Sequence, residues 1–199
     1  MENNLIVLDG DGVLVDYHHA YAQAWGKAFG EVPAIKDPDA YWALDRYDVR
    51  KLHGDELDHF KKHMDYEFWA TMPAMPGAVE ACQKLVDAGY KLICVTALED
   101  EHKSARWKNL LDLGMPLEGI VCTGHGNDTA SPKASVLSVL NPVAFADDFV
   151  HYMRGIPPHI HAALIMRSKN GTPNVGPDLK LAHSQHADIL SFAEYWVNR

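Results

Sequence analysis

The first clear pattern in the chain is an apolar run, Leu5–Leu8, that stops at Asp9. A short unbroken run of this kind suits a strand buried on both faces, as in a parallel sheet. Three stretches with apolar residues at helical spacing follow. Tyr17, Tyr21, Ala24, Trp25, Ala28 and Phe29 form the first, with Asp16 as a plausible N-cap and Gly30 as its end. Asp37-Pro38 predicts the start of a second, carrying Tyr41, Trp42 and Leu44. A third is predicted from near Asp55, with Leu57, Phe60, Met64 and Phe68 on one face.

After the linker at residues 72–77, the pattern alternates. A helix with Val79, Cys82, Leu85 and Val86 ends at Gly89, and a strand follows over Lys91–Thr96. Further helices are predicted at residues 100–113, 131–140 and 188–198, and strands at 120–122, 143–146 and 160–166. Residues 123–130 and 167–178 read as loops, rich in Gly, Asn, Pro and Thr. Strands alternating with helices predict an α/β fold with a doubly wound parallel sheet. The all-helical block at residues 17–72 interrupts it directly after the first strand. The expected organisation is a core of residues 1–16 and 73–199 with a small helical cap of residues 17–72.

Composition narrows the function. With 199 residues and 47% hydrophobic, the chain has material for one domain with a small insertion. A formal net charge of -9 and the lack of a dense Lys/Arg cluster argue against polymeric nucleic acid as a partner. Cys82, Cys94 and Cys122 have no Cys-x-x-Cys spacing and read as buried, reduced thiols. No apolar run is long enough to span a bilayer and no signal peptide precedes Leu5, so a cytoplasmic location is the expectation. Nothing in the sequence fixes the oligomeric state. His59 and His63 share a helical face, but no His-Glu-x-x-His or cysteine partner makes a zinc site of them.

The candidate chemistry sits at strand ends. Asp9 and Asp11 lie two apart, so they project together from the end of the first strand, where open α/β sheets bind ligands. Adjacent carboxylates repel unless a cation lies between them, and Mg²⁺ meets that need with oxygen ligands. Gly10 and Gly12 allow backbone N–H groups close to an anion. Thr96 ends the second core strand with a hydroxyl suited to an anionic oxygen. Lys133 sits at a helix start, where anions are already favoured. Asp147-Asp148 closes the run Val-Ala-Phe-Ala.

These four features, in this order, resemble the motifs of the haloacid dehalogenase superfamily, beginning with Asp-x-Asp-x-(Thr/Val). The resemblance implies a Mg²⁺-dependent hydrolase of a small phosphomonoester. Asp9 would be the nucleophile and Asp11 the acid and base. Gly10, Thr96, Ala97 and Lys133 would bind substrate. Asp9, Asp11, Asp147 and Asp148 would form the metal site, with Asp148 the direct ligand and Asp147 acting through water. Within the superfamily the chain is similar to 5′(3′)-deoxyribonucleotidases in Phe68-Trp69, in the run from Met75 to Ala81, in Arg106-Trp107 and in the closing Leu-Ser-Phe-Ala-Glu-Tyr-Trp. It departs from them at Gly10, where a larger residue is usual, at Ala97 in place of serine, and at Phe149 in place of a basic residue.

Aromatics crowd the cap, and Tyr17, Tyr21 and Trp69, nearest the catalytic loop and the return linker, are the candidates for stacking on a nucleobase. Three alternatives stay open. A haloacid dehalogenase needs neither Asp11 nor Asp147-Asp148. A phosphosugar mutase fits Ala24-Trp25 but has Tyr21 where a histidine is expected. A non-catalytic module binding a phosphorylated ligand is disfavoured by the intact acidic set.

Overall fold

The computed structural model describes residues 4–126 and 130–199. In chain order the elements are β1 (Leu5–Leu8), α1 (Tyr17–Phe29), α2 (Ala43–Arg46), α3 (Gly54–Lys61), α4 (Tyr66–Ala70), α5 (Ala78–Asp87), β2 (Lys91–Thr96), α6 (Lys103–Asp112), β3 (Gly119–Cys122), α7 (Ala134–Leu140), β4 (Ala144–Asp147), β5 (His161–Ile165), β6 (Ser184–His186) and α8 (Ile189–Val197). The six strands form one sheet in the order β3-β2-β1-β4-β5-β6, and every pairing is parallel. This is the doubly wound α/β architecture expected of alternating strands and helices.

The apolar run of β1 lies between β2 and β4, with Ile6, Val7 and Leu8 fully buried. Both faces are covered, which is why the strand shows no alternation. Strand order reverses beside β1, at its border with β4, so the ends of these two strands open onto the crevice where such sheets bind ligands. On one face α5 and α8 pack together, with Cys82, Leu85, Phe192 and Trp196 in the main core. A smaller cluster of Val7, Val95, Leu137, Phe145 and Ile160 fills the other face.

The block between β1 and β2 is helical, but its inner boundaries differ from the periodic reading. Asp16 caps α1 by accepting from the His19 N–H, and Gly30 ends it in the left-handed region at φ 88°. Asp37-Pro38 starts no helix. The Asp37 carboxylate instead accepts from the Asp39 N–H and from Asn170 Nδ2, and helical geometry is confined to the single turn of α2. The third predicted helix is two. Asp65 accepts from the Phe68 N–H and so caps a fresh start at α4, an interruption that the shared apolar face of Phe60 and Phe68 conceals.

Two differences concern the second half. The edge strand β6, Ser-Gln-His, carries no apolar signal, and the pattern predicts no element there. The expected loop at 167–178 runs into a 3-10 turn at Gly176–Leu181. Residues 127–129 of the loop expected at 123–130 lie outside the described residues. Among the described residues, no helix is long and apolar enough to cross a membrane.

Candidate active site

Asp9 follows β1 directly, and its N–H continues the ladder by donating to the Ala146 carbonyl at 2.9 Å. Asp147 is the last residue of β4 and Asp148 the next. The parallel register of β1 and β4 therefore places three carboxylates side by side. Each of Asp9, Asp147 and Asp148 offers an oxygen within 4.8 Å of the others, and all three are buried. The donor set is oxygen alone, which suits a hard divalent cation.

Lys133 is the cation buried among them. It stands at the N-cap position of α7 and is 0% exposed. Its Nζ donates to Asp9 Oδ1 at 2.5 Å and to Asp147 Oδ2 at 2.6 Å. Burial opposes its charge, but Asp147 and Asp9 outweigh burial and raise its pKa. Burial pushes the Asp9 carboxyl up to about 6, against the pull of Lys133 and with further repulsion from Asp148 and Asp11. Burial also raises Asp147 well above the usual range, opposed by Lys133 and reinforced by Asp9 and Asp148. One lysine thus serves two acids that both resist ionising. The second oxygen of Asp147 accepts from the Phe149 N–H at 2.9 Å, so both of its oxygens are engaged.

Asp148 has a partner that the sequence reading missed. Arg167, two residues past β5, donates from Nε to Asp148 Oδ2 at 2.5 Å. The Asp148 carbonyl accepts from Asn174 Nδ2 at 2.7 Å, and Tyr41 Oη approaches it at 3.4 Å. The Arg167 guanidinium also lies over the Tyr41 ring, 4.4 Å from its centroid. Gly12 sits beside this pair at φ 80°, and a Cβ there would overlap both Arg167 Nε and Asp148 Oδ2. Its glycine is required twice, by backbone and by space.

Asp11 departs from the expected ligand set. Its carboxylate lies outside the Asp9–Asp147–Asp148 group and faces Arg106 on α6, with Oδ1 2.8 Å from Nη2. The approach is close but out of line for a hydrogen bond, and among the described residues Asp11 Oδ1 has no hydrogen-bond partner. Thr96 and Ala97 are buried at the end of β2. A Cβ built on Gly10 would lie 3.2 Å from Thr96 Oγ1 and 3.4 Å from Arg106 Nη1, so the two atoms flank one spot on the loop. All the predicted residues are thus gathered at the ends of β1, β2 and β4 and the start of α7. The sequence reading named neither Arg106 nor Arg167 as part of the site. The available signal for Arg167 was its position just past a strand end. For Arg106 it was a charge on the same helical stripe as Ala105, Asn109 and Leu110.

A backbone pairing also ties the helical block to the loop beside this site. Residues 39–41 pair with residues 169–170: the Lys169 and Asn170 N–H groups donate to the Asp39 carbonyl, and the Tyr41 N–H donates to the Asn170 carbonyl at 2.9 Å.

The chain resembles known proteins along its whole length in fold and over part of it in sequence. A protein from Bordetella pertussis named "Putative 5'(3')-deoxyribonucleotidase" is 33% identical over 97 residues, 47% of this chain and 50% of that protein. The match therefore spans about half the length of that relative. A hydrolase of the haloacid dehalogenase family from Deinococcus radiodurans, solved with bound phosphate and sodium, superposes with a TM-score of 0.63 at 17% identity, covering 98% of this chain and 97% of that one. L-2-haloacid dehalogenase from Xanthobacter autotrophicus does so with a TM-score of 0.61 at 12% identity, covering 98% of each chain. These two likenesses establish the fold. The sequence profile of the haloacid dehalogenase-like hydrolases matches residues 4–141, which include Asp9, Asp11, Thr96 and Lys133, and the chain belongs to the haloacid dehalogenase-like hydrolase family.

Proposed function

We propose that the chain is a Mg²⁺-dependent phosphatase acting on a small phosphomonoester through an aspartyl-phosphate. The observation that carries this reading is the convergence of Asp9, Asp147 and Asp148 on the buried Lys133 at the ends of β1 and β4. Asp9 and Asp148 would hold the metal directly, since each has one oxygen on a cation and a second to offer. Asp147, with both oxygens engaged, would act through water. Mg²⁺, when bound, would neutralise charge on the transferring phosphoryl group.

The residues of the chain do the rest. Asp9 attacks phosphorus, the bond to the leaving oxygen breaks, and Asp11 protonates that oxygen. Asp11 then takes a proton from the water that hydrolyses the acyl phosphate. Its position outside the acidic group, with its side chain 33% exposed, suits a group that must meet the leaving oxygen and then water. Lys133 fixes Asp9 and offsets charge on the phosphoryl oxygens. The helical block would serve as a cap, since Tyr41 reaches Asp148 and residues 39–41 pair with the loop after β5. A nucleoside monophosphate is the narrower candidate substrate, supported by the curated relative. Dehalogenation would leave Asp148 and its Arg167 partner without a task.

The test is hydrolysis of an aryl phosphate, nucleoside monophosphates and sugar phosphates by the wild type and Asp9→Asn. Turnover should vanish in chelator, return with Mg²⁺, and fall by about three orders of magnitude or more in Asp9→Asn. Full activity in chelator removes the metal from the reading. Substantial turnover by a folded Asp9→Asn removes the covalent route.

A further inference from the structure

Arg106 is a buried cation with unused donors. It is 0% exposed, yet among the described residues Nε and Nη1 have no hydrogen-bond partner. Nη2 is engaged, near Asp11 Oδ1 at 2.8 Å and on Met72 Sδ at 3.3 Å. Trp69 covers the guanidinium with its ring centroid 5.5 Å away. A guanidinium cannot shed its charge, and buried donors left unpaired cost free energy. Proteins seldom leave such groups unpaired without a role for them.

The position of these donors suggests the role. Nη1 and Thr96 Oγ1 border the same point on Gly10, between Asp9 and Asp11. An oxygen held by the Thr96 hydroxyl would lie within reach of Nη1. A Cβ at residue 10 would press on Thr96 Oγ1 and touch Arg106 Nη1, so glycine keeps this spot open.

We propose that Arg106 is a substrate-binding residue whose Nη1 donors take an oxygen of the transferring phosphoryl group. The inference rests on the phosphatase reading and adds a ligand that its motifs do not supply. A guanidinium suits this task because the two N–H groups of Nη1 are fixed in its plane and always belong to a cation, whereas a lysine provides only a point charge. Asp11 faces Nη2 and leaves Nη1 for the substrate.

The experiment measures the affinity for inorganic phosphate, by calorimetry with Mg²⁺ present, in the wild type, Arg106→Lys and Arg106→Met. Charge-assisted hydrogen bonds of this kind predict a loss of about ten- to a hundredfold in Arg106→Met. Arg106→Lys, which keeps the charge for Asp11, should recover only part of it. Gly10→Ala should also weaken phosphate binding with Arg106 intact, by crowding Nη1. Should Arg106→Met fail to fold, the other two variants decide the matter. Wild-type phosphate affinity in folded Arg106→Lys and Gly10→Ala, or in folded Arg106→Met, overturns the assignment. If the wild type itself neither binds phosphate nor hydrolyses a phosphomonoester, the phosphatase reading falls first. If it does both and the variants bind phosphate normally, this inference alone falls.

Discussion

The protein has two buried clusters close to each other and held by opposite means. At the strand ends, Asp9, Asp147 and Asp148 are ordered by Lys133 and Arg167 through ion pairs of 2.5 to 2.6 Å. In the helical block, rings pack on rings. Tyr21 stacks on Tyr47 at 6.2 Å and meets Phe60 edge-on at 5.1 Å, while Trp25 lies 4.6 Å from Phe29. Trp69 stacks on His102 at 4.9 Å. The polar cluster is costly to bury and has donors and acceptors still to spend. The aromatic cluster is stabilised by burial, and its rings are largely spent on one another. Of Tyr17, Tyr21 and Trp69, the sequence-based candidates for stacking on a base, Tyr21 and Trp69 are 7% and 8% exposed, and the half-buried Tyr17 packs against both of their rings. On the proposed reading, recognition rests on charge, around Arg106, Arg167 and Lys133, and the aromatics hold the block together.

The strongest way to break this contrast is Lys133→Met. It strands two buried carboxylates, and removal of one partner from a buried ionic cluster costs about 3–5 kcal/mol. Denaturant unfolding of the metal-free protein should show that loss; a variant as stable as wild type would mean that the cluster is not organised by its lysine.

Next in size is Tyr21→Ala, which empties a ring-lined position and should destabilise the protein by about 3 kcal/mol. The ratio of catalytic efficiencies on nucleoside monophosphates and sugar phosphates should stay the same. A collapse of that ratio in a folded variant would restore base stacking as the role of this ring.

The smallest effect concerns His18, which lies between the two clusters. Its Nε2 contacts the Tyr41 carbonyl at 2.9 Å, and it is 8% exposed. Burial, then Arg167 and Arg46, lower its pKa from 6.5 to about 4, against Asp16 and the Tyr41 carbonyl. Because the folded state resists the proton, its contribution is full above pH 6.5 and is lost as pH falls through 4. The loss should be roughly 2 to 3 kcal/mol. His18→Gln should flatten the stability profile in that window relative to wild type. His161, whose pKa burial also lowers to about 4, is present in both proteins and cancels in the difference. Parallel profiles would show that His18 carries no such linkage.

Much of the site was legible because its residues end apolar runs. Asp9, Thr96 and Asp147 each close a run of strand residues, so strand direction alone brings them to one rim of the sheet. Arg106 was not legible as a site residue because its reach depends on how α6 lies against the loop after β1, which no local pattern encodes. Arg167 required knowing that β5 sits beside β4. In the helical block, Phe60 and Phe68 do share one cluster, as periodicity implied. Periodicity could not detect that Asp65 caps a new helix between them. The start at Asp37-Pro38 failed for a tertiary reason, since Asp37 is used to bind Asn170 far along the chain.

The central place of β1 has a consequence for how the chain is made. Its neighbours are β2, through Leu5 and Lys91, and β4, through Ile6 and Ala144. The strand that leads to Asp9 is therefore synthesised well before both of its neighbours. At a translation rate of roughly 5–20 residues per second, it waits on the order of ten seconds on the ribosome for its second partner. The apolar run Leu5–Leu8 has to remain unpaired or shielded on that side for the whole interval. Pairings this distant in sequence also slow refolding from denaturant, since the cost of closing a long loop comes before the contacts that reward it. An apolar strand left unpaired along one edge for that interval is an aggregation hazard during synthesis, and the acidic cluster assembles only after β4 has docked.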